Sequence, residues 1–155
     1  MRTFDHTDRT LLMALQRDAR QSMAELAEQV ALSQSPCWRR VRQLEESGVI
    51  EGYQARLNRK QLGYGVTGFI HLQMANHTAE ITAAFEREVV AVSEVLACHN
   101  LSGQYDYLIE AVAADLEAFS TLVRSRIRSL PGVKEIATSF SLKEVKASGS
   151  LPVGT

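Results

Sequence analysis

Between Ser22 and Gly48 the chain encodes two short helices separated by a turn of only a few residues. Ser22-Met-Ala-Glu25 has the Ser-x-x-Glu form of a capping box, in which each side chain satisfies a backbone N–H left over at a helix start. Leu26, Ala27 and Val30 then fall on one face. After Ala31-Leu32, either Ser33 or Ser35 can cap the next helix, with Pro36 tolerated in its first turn. That helix spans about Ser33 to Glu46 and stops at Gly48, a residue suited to the left-handed position past a helix end. A further helix precedes the pair. Thr7 can cap it, Leu11, Leu12 and Leu15 give it one apolar face, and Asp18-Ala-Arg-Gln ends it.

Residues 49–57 follow as a β-like stretch with Gly52 where a tight turn can sit, which reads as a wing. Residues 1–57 are therefore expected to form a winged helix-turn-helix, and residues 58–65, with two glycines, a linker.

The helix from Ser33 to Glu46 has two faces. At 100° per residue Cys37, Val41 and Leu44 cluster inward, while Ser35, Arg39, Arg42 and Glu46 fall opposite and Trp38 and Gln43 flank them. An outward face with two arginines, a glutamine and serines suits the major groove of duplex DNA. Arginine can pair with guanine O6 and N7, and serine or arginine can hold phosphates. The candidate DNA contacts are Ser33, Gln34, Ser35, Trp38, Arg39, Arg42 and Gln43. Arginines also decorate many merely solvated helices, so the preceding capped helix and the wing carry as much weight as the face itself. Trp38 can either pack on the helix edge or lie along a phosphate or thymine methyl. Arg40, nearer the core edge, either supports the fold or reaches a phosphate.

The second half changes period. Residues 67–74 alternate as a strand, with Ile70, Leu72 and Met74 on one side. Residues 79–90 are helical, with Ile81, Phe85 and Val89 in one stripe. Residues 95–101 and 105–112 read as strands around Ser102-Gly103-Gln104. Asp115 can cap a helix carrying Leu116, Phe119, Leu122, Val123 and Ile127, which stops before Pro131-Gly132. Residues 133–146 read as a last strand, with Ile136, Thr138, Phe140 and Leu142 on one face. The order βαββαβ is the ferredoxin-like arrangement, here over 66–147, with 148–155 as a tail. The fold class is thus α+β. One sheet face has no helix over it, and its apolar content points to self-association.

Composition excludes more than it proves. The chain has 155 residues and a net charge of −1. Residues 1–60 hold ten basic and eight acidic side chains, and the remainder seven and ten, so charge favours a DNA-binding first half only weakly. No apolar run is long enough to span a membrane, and there is no signal-peptide pattern. Cys37 and Cys98 lack CxxC spacing, so no disulfide framework or zinc site is expected and a reducing cytoplasm is the default. His6, His71, His77 and His99 show no metal-ligand spacing. No nucleophile elbow, phosphate loop or dinucleotide fingerprint is present. Asp106 and Glu110 have no partner suggesting acid–base work, and Cys98 and His99, adjacent on a strand, point to opposite faces. No enzyme, cofactor or metal site is expected.

Several segments together carry a resemblance. Asp8-Arg-Thr-Leu-Leu-Met-Ala-Leu-Gln, residues 25–33, residues 35–45, Gly48-Val-Ile-Glu-Gly-Tyr53, Gly103-Gln-Tyr-Asp-Tyr107 and Ser150-Leu-Pro152 resemble the Lrp/AsnC family of transcriptional regulators over nearly the whole chain. The resemblance implies a bacterial or archaeal, nucleoid-associated regulator of amino-acid metabolism or transport genes. It also implies homodimers built sheet to sheet, often joined into octamers, and an amino-acid effector bound between subunits near the Gly-x-Tyr-Asp-Tyr loop. On that reading Gly103 lets backbone approach the ligand, while Gln104, Tyr105 and the Asp106 carboxylate hold its charged ends. His99 and Leu101 lead into the loop, and Thr138 and Ser139 are polar neighbours on the last strand. The same Tyr-Asp-Tyr can instead simply order a hairpin.

Two other functions remain compatible with parts of the chain. One is an architectural DNA binder with little effector response. The other is a small-molecule-binding allosteric module resembling ACT domains, which would leave the first sixty residues without a role.

Overall fold

The computed structural model describes residues 4–147 and 149–153; residues 1–3, 148, 154 and 155, at the ends of the expected first domain and tail, lie outside the described residues. The chain divides into two compact units, Met1–Arg56 with Val145–Thr155, and Leu57–Glu144.

The first unit has three helices, α1 (His6–Arg17), α2 (Met23–Gln29) and α3 (Gln34–Glu46). Asp5, not Thr7, caps α1: its side chain accepts the Asp8 N–H, because the helix begins two residues earlier than the Thr7 reading required. The Ser22–Glu25 capping box is complete, with the Glu25 carboxylate accepting the Ser22 N–H at 2.7 Å. Ser33 takes the cap position of α3 but makes no side-chain cap bond, and Ser35 lies inside the helix. Both α2 and α3 end in paired backbone bonds of the Schellman type. Leu32 and Ala31 donate to Ala27 and Glu28, and Val49 and Gly48 to Leu44 and Glu45. Gly48 has φ +72°, whereas the corresponding residue after α2 is Ala31 at φ +51°. The helices close on Leu11, Ala14, Leu26, Ala27, Cys37 and Val41. Leu151 returns to α1, its N–H donating to Gln16 Oε1 at 2.6 Å and its carbonyl accepting from Gln16 Nε2.

The expected wing strand does not form. Residues 51–57 are exposed chain outside any ladder, since alternation alone cannot make a strand without a second strand to bond. The segment is still anchored near its start, where the Tyr53 hydroxyl donates to Glu45 Oε1 at 2.8 Å.

The second unit runs β1 (Val66–Met74), α4 (Ala79–Val90), β2 (Val95–Asn100), β3 (Tyr107–Ala113), α5 (Leu116–Leu122) and β4 (Val133–Phe140). Residues Val123–Ile127 extend α5 as one π-helical turn. The antiparallel sheet has the order β2-β3-β1-β4, the ferredoxin-like topology. Ile70, Leu72 and Met74 of β1 and Tyr107, Ile109 and Ala111 of β3 face the helices, burying Phe85, Val89, Phe119 and Ile127 with them. The last strand stops at Phe140 rather than Lys146. Phe140 pairs with Gly68 near the start of β1, so the strand runs out of partner, and Leu142 is 99% exposed.

Gly68 is a point of close approach. A Cβ there would lie 2.3 Å from Phe119 Cζ, and that ring is itself pinned edge-on against Phe140. Gly68→Ala is expected to cost about 1–3 kcal/mol through overpacking. Thermal unfolding should show a lower midpoint, partly restored by a second change of Phe119→Leu. An unchanged midpoint in Gly68→Ala would contradict the packing described.

Candidate nucleic-acid interface and effector loop

The rotation of α3 decides which side chains meet solvent. Cys37 and Leu44 are fully buried and Val41 nearly so. Ser33, Gln34, Ser35, Trp38, Arg39, Arg42 and Gln43 are all exposed, so every sequence-predicted DNA contact lies on the outward side or at the start of α3. Trp38 is 49% exposed, which resolves its alternatives against simple burial. It lies beneath the Arg42 guanidinium, whose carbon is 5.3 Å from the ring centroid.

Arg40 belongs to the fold. Its Nη1 donates to Asp5 Oδ2 at 2.7 Å and to Asp8 Oδ1 at 2.9 Å, tying the edge of α3 to the first turn of α1. Asp8 is the buried charged residue of the unit, and this arginine supplies its counter-charge. The Asp5 carboxyl is held below the ordinary carboxylate range, first by the Asp8 N–H and next by Arg40.

In the second unit, residues 101–106 form a loop fastened at several points. The Leu101 N–H donates to the Asp106 carbonyl at 2.8 Å, closing the loop. Gly103 has φ +148°. Gln73 Nε2 donates to the Gln104 carbonyl at 2.8 Å, and the Tyr105 ring lies 5.0 Å from that of His71. Asp106 Oδ2 accepts the Met74 N–H at 2.7 Å, beside the register shift between Gln73 and Met74. The other carboxylate oxygen lies 3.8 Å from His77 Nε2. Asp106 therefore braces backbone, a role the sequence reading assigned to the hairpin alternative. Leu101, Gly103 and Gln104 are exposed, and Tyr105 and Asp106 half-buried.

The remaining effector candidates do not share one face and one edge of the sheet within one chain. Thr138 pairs with Ile70 on the helix side, whereas Ser139 pairs with Phe69 on the open face. Adjacent strand residues diverge in this way, so the Thr138 and Ser139 side chains point to opposite faces of the sheet. His99 shares the open face with Ser139 but lies on β2, at the opposite edge of the sheet. Three strand spacings, about 14 Å, separate those edges, more than a small amino acid spans.

The open face carries Phe69, His71, Leu108 and Ala137 with no helix over them. One end is crossed by the linker, a turn at residues 59–63. From it Arg59 Nη1 reaches Glu110 Oε1 at 3.0 Å and Thr67 Oγ1 at 3.4 Å. A shallow groove of about 530 Å³ runs along α5 between Glu94, Asp115, Ser125 and Arg126, and none of the sequence-predicted residues lines it. Burial pushes the Cys37 thiol up, and burial with Glu86 pushes Cys98 up to about 11, so both are neutral thiols near pH 7. Among the described residues no cluster of histidine, cysteine or carboxylates could hold a metal ion, and no helix is long and apolar enough to cross a membrane.

Sequence reasoning missed Glu46 as the partner of Arg42, although their spacing was visible. Arg42 Nε donates to Glu46 Oε1 at 2.8 Å, a helical i, i+4 pair.

Comparison with known proteins agrees with both units. Residues 4–51 match the family model for winged helix-turn-helix DNA-binding domains, and residues 67–151 that for the Lrp/AsnC ligand binding domain. The chain is 34% identical to the DNA-binding transcriptional activator DecR of Escherichia coli K12, covering 96% of this chain and 98% of that protein. It is 36% identical to the leucine-responsive regulatory protein of the same strain, covering 97% and 92%. A crystal structure of a transcriptional regulator from Neisseria meningitidis in complex with L-Met superposes with TM-score 0.92 at 39% identity, covering 97% of both chains.

The Arg40 tie gives a pH-dependent expectation. A carboxyl whose folded pKa is depressed stabilises the fold above its ordinary value, and that stability is lost as pH falls through the folded value. The stability gap between the unaltered chain and Arg40→Ala should therefore be full at pH 7 and shrink below about pH 4. Urea midpoints at pH 7 and below about pH 4 measure it; a gap that does not change would show that Arg40 does not act through the Asp5 carboxylate.

Proposed function

Because this chain belongs to the Lrp/AsnC family of DNA-binding transcriptional regulators, which are not enzymes, we propose that it is a dimeric, amino-acid-responsive reader of a near-palindromic DNA site. The observation that carries this reading is the outward face of α3, where Trp38, Arg39, Arg42 and Gln43 stand exposed on a helix fixed by a buried face and a salt-bridged edge. In the dimer two such helices lie about one turn of DNA, roughly 34 Å, apart. Arg39 and Arg42 read base edges, and Ser33, Gln34 and Ser35, at the start of α3, hold phosphates.

The effector is a free amino acid. The support is the ligand-binding family model, the L-Met bound to the Neisseria relative and the leucine response in the name of another. The exposed backbone of Leu101–Gln104 contributes one side of the site, and the other side comes from a second subunit, since one chain does not gather enough polar groups. Phe69, His71 and Leu108 on the open sheet face supply an apolar surface for pairing, and dimers join further into an octamer. The protein acts in the cytoplasm, on the nucleoid, at genes of amino-acid metabolism or transport.

Binding to the protein's own upstream region and to scrambled DNA at fixed salt tests the DNA half. Arg39→Ala is expected to weaken the specific complex by about 1–3 kcal/mol and the scrambled one much less. Equal weakening on both would make Arg39 a phosphate contact, and equal affinity of the unaltered protein for both would favour the architectural reading. Calorimetry across the common amino acids tests the sensing half, which fails if none binds. Asp106→Ala, which releases the Met74 N–H and with it the loop, should abolish the response while leaving DNA binding in place. A response of undiminished size would remove the loop from the site.

A further inference from the structure

Along the exposed face of α3, Trp38, Arg42 and Glu46 form a ladder at four-residue intervals. The Arg42 guanidinium lies over the indole, 5.3 Å from its centroid, and its Nε is tied to Glu46 Oε1 at 2.8 Å. Helix stability does not account for this arrangement. A basic residue placed before an acidic one at this spacing is the weaker order of the pair. Glu46 is also the last helical residue, where the helix dipole disfavours a carboxylate. Both partners are more than half exposed, at 57% and 63%, so the ion pair contributes little to folding.

What the ladder does is restrict one side chain. A guanidinium can meet a planar acceptor pair through its Nε–Nη edge or through its Nη1–Nη2 edge. With Nε committed to Glu46, the Nη1–Nη2 edge is left, and the indole face fixes the plane in which it lies. We propose that Glu46 is a positioning residue for sequence specificity. Together with Trp38 it holds Arg42 as a pre-set fork for end-on pairing with O6 and N7 of one guanine. Glu46 itself does not touch DNA. This inference rests on the reading of Arg42 as a base-contacting residue.

Two consequences separate the ladder from a merely decorative ion pair. On a site with the right guanine, Arg42 loses less side-chain freedom on docking, because the indole and Glu46 already restrict part of it. On any other sequence, its charge stays neutralised by Glu46 instead of settling on a phosphate, so the wrong complexes are weakened. Specificity thus comes from both sides of the comparison.

The test uses the full chain and a duplex that it selects from random sequence, with every single-base replacement of that duplex and one scrambled duplex, all at fixed salt. Arg42→Ala should lose discrimination at one G·C pair in each half-site. Glu46→Ala should lose roughly tenfold of the discrimination at that same pair, with binding to scrambled DNA equal or stronger. Glu46→Gln, which keeps an acceptor for Nε but not the charge, should retain most of the discrimination. The double variant Arg42→Ala with Glu46→Ala should be no less selective than Arg42→Ala alone. The proposal is overturned if Glu46→Ala strengthens binding to all duplexes by one common factor, which is charge repulsion alone. It is equally overturned if that variant weakens all of them alike with a lowered melting temperature. Should Arg42→Ala leave discrimination intact at every pair, the base-reading role of Arg42 fails and the inference goes with it. That result is distinct from a silent Glu46→Ala beside an Arg42→Ala that loses discrimination.

Discussion

The rotational setting of α3 is the constraint on which the DNA-binding half depends. Burying Cys37 and Val41 with Leu11 and Leu26, and Leu44 completely as well, leaves the helix one orientation, because turning it would expose Val41 and Leu44, each worth about 1.5–3 kcal/mol. Packing of this kind sets a face but tolerates small rotations. The Arg40 contacts to Asp5 and Asp8 narrow it further, since one Nη1 bonded to two carboxylates at fixed points on α1 permits little sliding. Arg39 and Arg42 inherit their outward direction from these inward neighbours. The outward face is thus specified by the residues that turn inward or pair with α1.

A similar division of labour holds in the second unit. Asp106 is the charged group in the loop at residues 101–106, and it is spent on backbone: one oxygen takes the Met74 N–H at the edge of a register shift. Tyr105 and Gln104 are likewise engaged with His71 and Gln73 of β1. The loop is therefore held rigidly by its side chains, and what it presents outward is mainly main chain, around a glycine at φ +148° that keeps the surface free of a Cβ. Backbone groups are suited to gripping the charged ends of an amino acid, which every amino acid shares. In the proposed site, selection of one side chain over another would then come from elsewhere, and Thr138, Ser139 and His99 are dispersed over two faces and two edges of the sheet.

Much of this was legible in the residues, and the failures have physical causes. The capping box at Ser22, the stop at Gly48 and the two faces of α3 are local signals, readable because each involves residues within a turn or two. The βαββαβ order followed from changes of period. The wing and the end of β4 were not legible, because a strand exists only where a partner offers backbone bonds; alternation through Leu142 says nothing about where β1 begins. The cap at Asp5 was masked by Thr7, an equally good capping residue two positions on. The opposite facing of Thr138 and Ser139 is legible too: the period of two that separates Cys98 from His99 separates them as well. The Arg42–Glu46 pair was visible as i, i+4 spacing, yet spacing alone could not show that the guanidinium would be shared with Trp38 rather than left to solvent.

The weak overall charge makes these details matter more. A chain with net charge −1 has little general attraction for a polyanion, so its affinity must rest on a few cations placed well. Of the arginines on α3, Arg40 is neutralised by two aspartates and Arg42 by one glutamate, leaving Arg39 as the one without an ion pair among the described residues. A single reading helix so equipped would bind poorly. In the proposed dimer, joining two would raise the effective concentration of the second half-site for the first, and affinity would then depend steeply on how the subunits are held relative to each other. A ligand that changes that holding by a small free energy can change occupancy of DNA by a large factor without approaching α3. On this view the near-neutral charge and the tethered arginines are not defects in a DNA-binding surface. In the proposed dimer they would keep its intrinsic grip low enough for the effector domain to control.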